Sequence, residues 1–155
     1  MAGIQLISEL IIKCLDEENG SIYPYMISLL DNLSNKFDSR TLILIAIASI
    51  INESGYALEF NECVKCGSKK DIVSYSFEEG GFICIKCLKN HHEVKSPISL
   101  KTYRYIFKVG PDMMNHYELN KKVSMELIVN LCEYLKTCFS LKEIKALDIY
   151  LRSID

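Results

Sequence analysis

The residues best suited to chemistry are four cysteines in two pairs, Cys63-Val64-Lys65-Cys66 and Cys84-Ile85-Lys86-Cys87, with seventeen residues between the pairs. A CxxC turn lets two sulfurs reach one ion, and two such turns close a tetrahedron with Zn–S bonds of about 2.3 Å. The separation matches the pattern of a four-thiolate zinc site. Two disulfides, or four reduced thiols in an ordinary core, are the competing readings. Seven cysteines, an odd number, and no secretory pattern in the sequence lead us to expect a reducing cytoplasm, where zinc is favoured over disulfides. A catalytic zinc keeps an open position and usually brings His or carboxylate ligands. Four thiolates fill the shell, so one structural Zn2+ held by Cys63, Cys66, Cys84 and Cys87 is expected.

The segment His91-His92-Glu93 contains an H-x-E string, which zinc deaminases place beside a CxxC. Here it follows both pairs, and the cysteines already satisfy the metal. A zinc-dependent enzyme is therefore the weakest functional reading, and both histidines are expected at the surface. No Walker loop, G-x-S-x-G elbow or Rossmann glycine pattern occurs. A non-enzyme is expected.

The two pairs must be brought together by what lies between them. Ile72–Phe77 reads as a strand, Glu78-Glu79-Gly80-Gly81 as a turn and Phe82-Ile83 as a second strand, so the hairpin returns the second pair to the first. Tyr75, Phe77 and Phe82 flank it. They are expected to form the ribbon's own small core, with a base-stacking platform as the alternative. A ribbon this small does not fold without its metal.

The rest of the 155 residues reads as helix. Ile4, Ile7, Ile11, Cys14 and Leu15 recur at helical spacing, predicting a helix over 4–17 that ends before Asn19-Gly20. Ser21 would cap a second helix with Pro24 in its first turn and Tyr25, Met26, Leu29, Leu30, Leu33 and Phe37 on its buried face. Asp38 or Ser39 would cap a third. Its stretch Leu42–Ile51 is apolar around nearly the whole circumference, as a central buried helix requires, and is too short for the roughly 20 residues of a membrane span. Gly55 supplies a stop. Ser96-Pro97 opens a fourth helix, with Ile98, Tyr103, Ile106 and Phe107 inward and Lys101, Arg104 and Lys108 outward, ended by Gly110-Pro111. A fifth covers about 120–138 with Val123, Leu127, Leu131, Leu135 and Cys138 in phase, and Ser140-Leu141-Lys142-Glu143 resembles a capping box that starts a last helix through Leu151. The expected fold is mainly α: a bundle of about six helices formed by residues 1–57 and 96–155, carrying an inserted zinc ribbon at 58–95.

Charge is uneven. Residues 61–110 carry nine Lys/Arg against five Asp/Glu, whereas residues 1–60 carry three against eight. Lys65, Lys69, Lys70, Lys86, Lys89 and Lys95 are candidate contacts to single- or double-stranded DNA, weak and salt-dependent. Lys101, Arg104 and Lys108 share a helical face bordered by Tyr105, and are candidates for docking a short acidic peptide. The bland reading of both sets is a solvated surface.

The run Leu58-x-x-x-x-Cys63-x-x-Cys66-Gly67-Ser68, then Ser76-Phe77 and Gly80-Gly81-x-x-Cys84-x-x-Cys87, resembles the zinc segment of the bacterial RecO recombination mediators. Gly55-Tyr56 matches the family's Gly-Tyr at the end of the preceding helix, and Leu141-Lys142-x-x-Lys145-x-Leu147 is similar to its C-terminal signature, with Ala146 a departure. The resemblance implies a cytoplasmic, non-enzymatic mediator of recombinational repair that docks RecR and the tail of single-strand-binding protein. The family also begins with an OB-fold; the sequence in hand reads as helix from its first residues, so that barrel's DNA binding is not carried over to them. A stand-alone zinc-ribbon nucleic-acid binder is the alternative.

Overall fold

The computed structural model describes residues 1–33, 39–109 and 119–154. Six helices, α1 (Ala2–Cys14), α2 (Tyr23–Leu33), α3 (Ser39–Glu53), α4 (Pro97–Lys108), α5 (Lys121–Cys138) and α6 (Lys145–Arg152), surround one hydrophobic core. A small sheet of β1 (Glu59–Cys63), β2 (Ile72–Ser76) and β3 (Gly81–Cys84) lies between α3 and α4 in the chain. The expected mainly α fold with an inserted ribbon is the one found. Residues 34–38 and 110–118, and with them Phe37, Asp38 and Gly110-Pro111, lie outside the described residues, as do the side chains of Ser21, Leu33 and Ser39.

The apolar circumference of Leu42–Ile51 has the predicted consequence. Every residue from Leu42 to Ile51 except Ser49 is buried, and α3 packs against α1, α2, α4 and α5. Ser49 satisfies its hydroxyl on the Ile45 carbonyl at 2.8 Å and meets Tyr25 Oη at 2.9 Å. Among the described residues, no helix is long and apolar enough to cross a membrane.

Several boundaries differ from expectation, each for a visible reason. α1 stops at Cys14, and residues Glu17–Ile22 form a 3-10 turn instead of more helix. Ile98, expected inward, is exposed, because α4 buries the stripe Ser99, Leu100, Thr102, Tyr103 and Ile106. Ser140 does not cap α6. It adopts a left-handed conformation (φ 51°) just past the end of α5, and Leu141 N–H donates to the Lys136 carbonyl at 2.9 Å. That is the bonding of a Schellman end, so Ser140 closes α5 and does not open α6.

α6 takes its cap from the other end of the sequence. The Glu9 carboxylate of α1 accepts from Lys145 N–H at 3.1 Å and from Ala146 N–H at 2.7 Å, satisfying two of the orphan amides of α6. Lys13 holds the same carboxylate at 2.5 Å and donates to the Glu143 carbonyl at 2.9 Å. Burial opposes ionisation of Glu9, but Lys13 and the two amides outweigh it and hold its pKa below the ordinary glutamate range. A depressed carboxylate pKa stabilises the fold above the unfolded-state value and loses that contribution as pH falls through the folded-state value. Glu9→Gln should therefore cost about 1–3 kcal/mol at neutral pH, measured by urea unfolding. The gap to the parent should close below about pH 4; a gap that persists there would remove the carboxylate from the account.

Candidate metal centre

The sheet explains why the two cysteine pairs meet. β2 and β3 form the expected antiparallel hairpin, with Tyr75 opposite Phe82 and Ser76 opposite Gly81. β1, which the sequence reading did not include, pairs in parallel with β3, giving the order β1-β3-β2. Parallel strands end at the same edge. Cys63 closes β1 and Cys84 closes β3, so both CxxC turns begin there. Each turn is tied by its backbone: Gly67 N–H donates to the Cys63 carbonyl at 2.8 Å, Cys63 N–H to the Ser68 carbonyl at 2.8 Å, and Ile85 N–H to the Asp71 carbonyl at 2.9 Å.

The Sγ atoms of Cys63, Cys66, Cys84 and Cys87 all lie within 4.8 Å of one another, and Cys66 and Cys84 are 3.6 Å apart. Bonds of about 2.3 Å in a tetrahedron place sulfurs ~3.8 Å apart, so the four sulfurs need little movement to share one ion. Cys84 N–H points at Cys63 Sγ at 3.4 Å. Burial disfavours a Cys63 thiolate, but amide hydrogens from Cys84, Lys65 and Cys66 outweigh it and lower its pKa to about 6. The neighbouring thiols act oppositely on Cys87, pushed up to about 12 chiefly by its contact with Cys66. Four thiolates this close require a cation to coexist. The donor set fits a thiophilic divalent ion with a closed shell. Two of the remaining cysteines are different: burial pushes Cys14 up to about 11 and Cys132 to about 12, the state of inert core thiols.

A second group, Glu79, His91 and His92, also clusters within 4.8 Å. His92 was expected at the surface, yet its side chain is only 2 % exposed, whereas His91 is 63 % exposed. The difference arises because His92 is held from both sides. Its Nδ1 accepts from Lys89 N–H at 3.0 Å, which leaves Nε2 carrying the proton toward Glu79 Oε2 at 3.0 Å. A metal would need the Nε2 lone pair, so this trio is a latch between the second knuckle and the hairpin turn. Lys65 adds a third tie to Glu79 at 3.4 Å. Glu93, the acid of the H-x-E string, pairs with Lys95 at 2.5 Å.

The aromatic residues of the hairpin do not form a core of their own. Phe60 stacks on Tyr103 of α4 at 4.7 Å and meets Phe82 at 5.0 Å and Phe107 at 4.8 Å, while Tyr75 meets Tyr103 at 4.7 Å. Phe60, Tyr75 and Phe82 belong to the same hydrophobic cluster as the helices, so Tyr75 and Phe82 are buried rather than presented to bases. Phe60, within β1, was the residue missed.

The candidate DNA contacts fall into two kinds. Lys69, Lys70, Lys86 and Lys89 are exposed, while Lys65 and Lys95 are engaged by Glu79 and Glu93. Beside α4 runs a groove of about 410 Å³ with Ile72, Val73, Phe82 and Leu100 in its lining, Lys69, Lys95, Lys101 and Arg104 as its cations and Asp71 as its carboxylate. Of the docking candidates, Lys101 and Arg104 line this groove; Tyr105 and Lys108 are not among its lining residues. Arg104, expected outward, is half-buried: it donates to the Asn61 carbonyl at 3.3 Å and its guanidinium lies 5.4 Å from the Phe82 ring centroid. Its length and planar head let it brace β1 against α4.

Residues 1–135 match the family described as Recombination protein O C terminal. The chain is 26 % identical over 138 residues to the DNA repair protein RecO of Caldicellulosiruptor bescii, covering 87 % of this chain and 55 % of that protein. It is 31 % identical over 98 residues to RecO of Acetivibrio thermocellus (60 % and 39 % covered) and 24 % over 102 residues to RecO of Bacillus subtilis (64 % and 40 %). The chain thus spans about half the length of the first of these relatives. No solved structure matches it. The chain belongs to the Recombination protein O C-terminal family.

Proposed function

We propose that this chain is a non-enzymatic docking module of bacterial recombinational DNA repair, built around one structural zinc and working in the cytoplasm. Zinc would be held by Cys63, Cys66, Cys84 and Cys87 and would supply folding energy to the ribbon rather than Lewis-acid chemistry. The partners that the family implies are RecR and the acidic tail of single-strand-binding protein. The single observation that carries the docking reading is the groove beside α4, whose apolar floor and excess of cations, four against the single carboxylate Asp71 among its lining residues, suit an acidic peptide ending in an aromatic residue. The inserted ribbon (58–95) contributes one wall of this groove through Lys69, Ile72, Val73 and Phe82, and the bundle contributes the other through Leu100, Lys101 and Arg104.

Lys101 and Lys69 make the cleaner test, because Arg104 also braces β1. A fluorescent acidic peptide with an aromatic C-terminus should bind the parent and bind Lys69→Glu/Lys101→Glu about tenfold more weakly, about 1.4 kcal/mol. Helix signal and metal content should be unchanged. Equal binding would place the peptide elsewhere. Labelled single strands at low salt should bind weakly through the exposed lysines, with affinity falling as salt rises; no binding at low salt would remove DNA from the reading.

A further inference from the structure

A second pocket lies where the β2–β3 turn meets α5, and its chemistry is the reverse of the basic groove. It has a volume of about 410 Å³ and is lined by Phe77, Glu78, Asn130, Glu133, Tyr134 and Thr137. No Lys or Arg is among these lining residues, and two are carboxylates. Asn130, Glu133, Tyr134 and Thr137 recur at three- and four-residue steps and so share one face of α5. The Phe77 and Tyr134 rings form an adjoining wall, with centroids 5.2 Å apart and planes tilted by 32°. This wall is pinned in place. Tyr134 Oη donates to the Tyr56 carbonyl at 3.0 Å, and Phe77 packs on Tyr75 at 5.3 Å. Glu133 is steadied by Lys136 at 3.0 and 3.3 Å, in an exposed pair that competes only weakly with a new cation.

We propose that this pocket docks an arginine side chain from a basic segment of a protein partner. Half-buried aromatic faces attract a cation through their quadrupole, and carboxylates beside them supply the acceptors that a guanidinium can engage two at a time. A planar guanidinium can stack on the rings and reach the rim together, which a compact ammonium cannot, so arginine is favoured over lysine. The rings need no reordering, since both are already held by the fold, and this lowers the cost of binding. The site is separate from the basic groove, with which it shares no lining residue.

The test uses the full metal-loaded chain and three capped peptides, Gly-Arg-Leu-Arg-Gly, its lysine counterpart and its glutamate counterpart, followed by NMR of the aromatic rings. The arginine peptide should move the Phe77 and Tyr134 signals saturably and bind about threefold or more tighter than the lysine peptide. Glu78→Lys/Glu133→Lys should weaken it by about tenfold or more. Glu17→Lys/Glu18→Lys, which changes the net charge equally on exposed residues elsewhere, should leave binding as it was. If the pocket variant fails to fold, Glu133→Gln takes its place, with a weakening expected in the same direction. Equal losses in both charge-reversed proteins, or no saturable shift at the two rings, would overturn the proposal.

Discussion

Protein purified without chelator should carry one zinc per chain, and Cys84→Ser should lose the metal and release the ribbon. The apparent binding energy of a structural four-ligand zinc is about 10–16 kcal/mol, comparable to the whole stability of a domain, about 5–15 kcal/mol. Three short strands cannot offset that loss. Hydrogen exchange should rise across residues 58–95. The effect should not stop at the ribbon, because Phe60 and Tyr75 cover Tyr103 of α4. Protection in α4 should fall as well, and the midpoint of unfolding should drop. α3 should stay protected, since its contacts with α1, α2 and α5 involve no ribbon residue. Elemental analysis showing no zinc would end the metal assignment. Loss of all helix signal in Cys84→Ser would instead show that the bundle does not fold without the ribbon.

What the sequence made legible was local. The CxxC pairs, the hairpin between them and the apolar girth of Leu42–Ile51 are short-range patterns whose physics is complete within a few turns of chain. The features that escaped depend on distant partners. β1 offers little alternation in Glu59-Phe60-Asn61-Glu62-Cys63, and its parallel pairing is to β3, with β2 lying between the two in the chain. Glu9 caps a helix 137 positions away, which no capping-box pattern can express. Ser140 was misassigned because the same residue suits the start of one helix and the end of another, and only backbone conformation distinguishes the two. His92 sits in an exposed-looking, polar stretch, and its side chain is covered where it folds back onto Glu79 of the hairpin turn, 13 positions away. At the candidate site, the four cysteines that the fold brings together were visible in the spacing. The groove was half visible: Lys101 and Arg104 were marked by helical periodicity, but Lys69, Lys95 and the apolar floor reach it only through the packing of ribbon on α4.

The second large effect is expected at Gly81, where β3 lies close against the backbone of β1. A Cβ built there would lie 2.0 Å from the Glu59 carbonyl oxygen and 2.7 Å from its carbonyl carbon, both backbone atoms that no rotamer change can move. Glu59 is also the partner of Gly81 in the ladder, and its N–H donates to the Gly80 carbonyl at 2.8 Å. Gly81→Ala must therefore push β1 away from β3, and with it Cys63 away from Cys84. Overpacking against a fixed neighbour typically costs about 1–3 kcal/mol and sometimes more; with a positive φ of 150° added, the upper end or beyond, about 3 kcal/mol, is expected. Gly80 separates the two causes. Its φ is 94°, but a Cβ there would meet nothing within 4 Å, so Gly80→Ala should cost only the conformational part, about 1–2 kcal/mol. Competition with a chromogenic zinc chelator reads the consequence at the metal. Gly81→Ala should release zinc at a lower chelator concentration than Gly80→Ala, and both should release it before the parent. If the two variants hold zinc equally well, the β1–β3 approach does not position Cys63, and the parallel strand is incidental to the site.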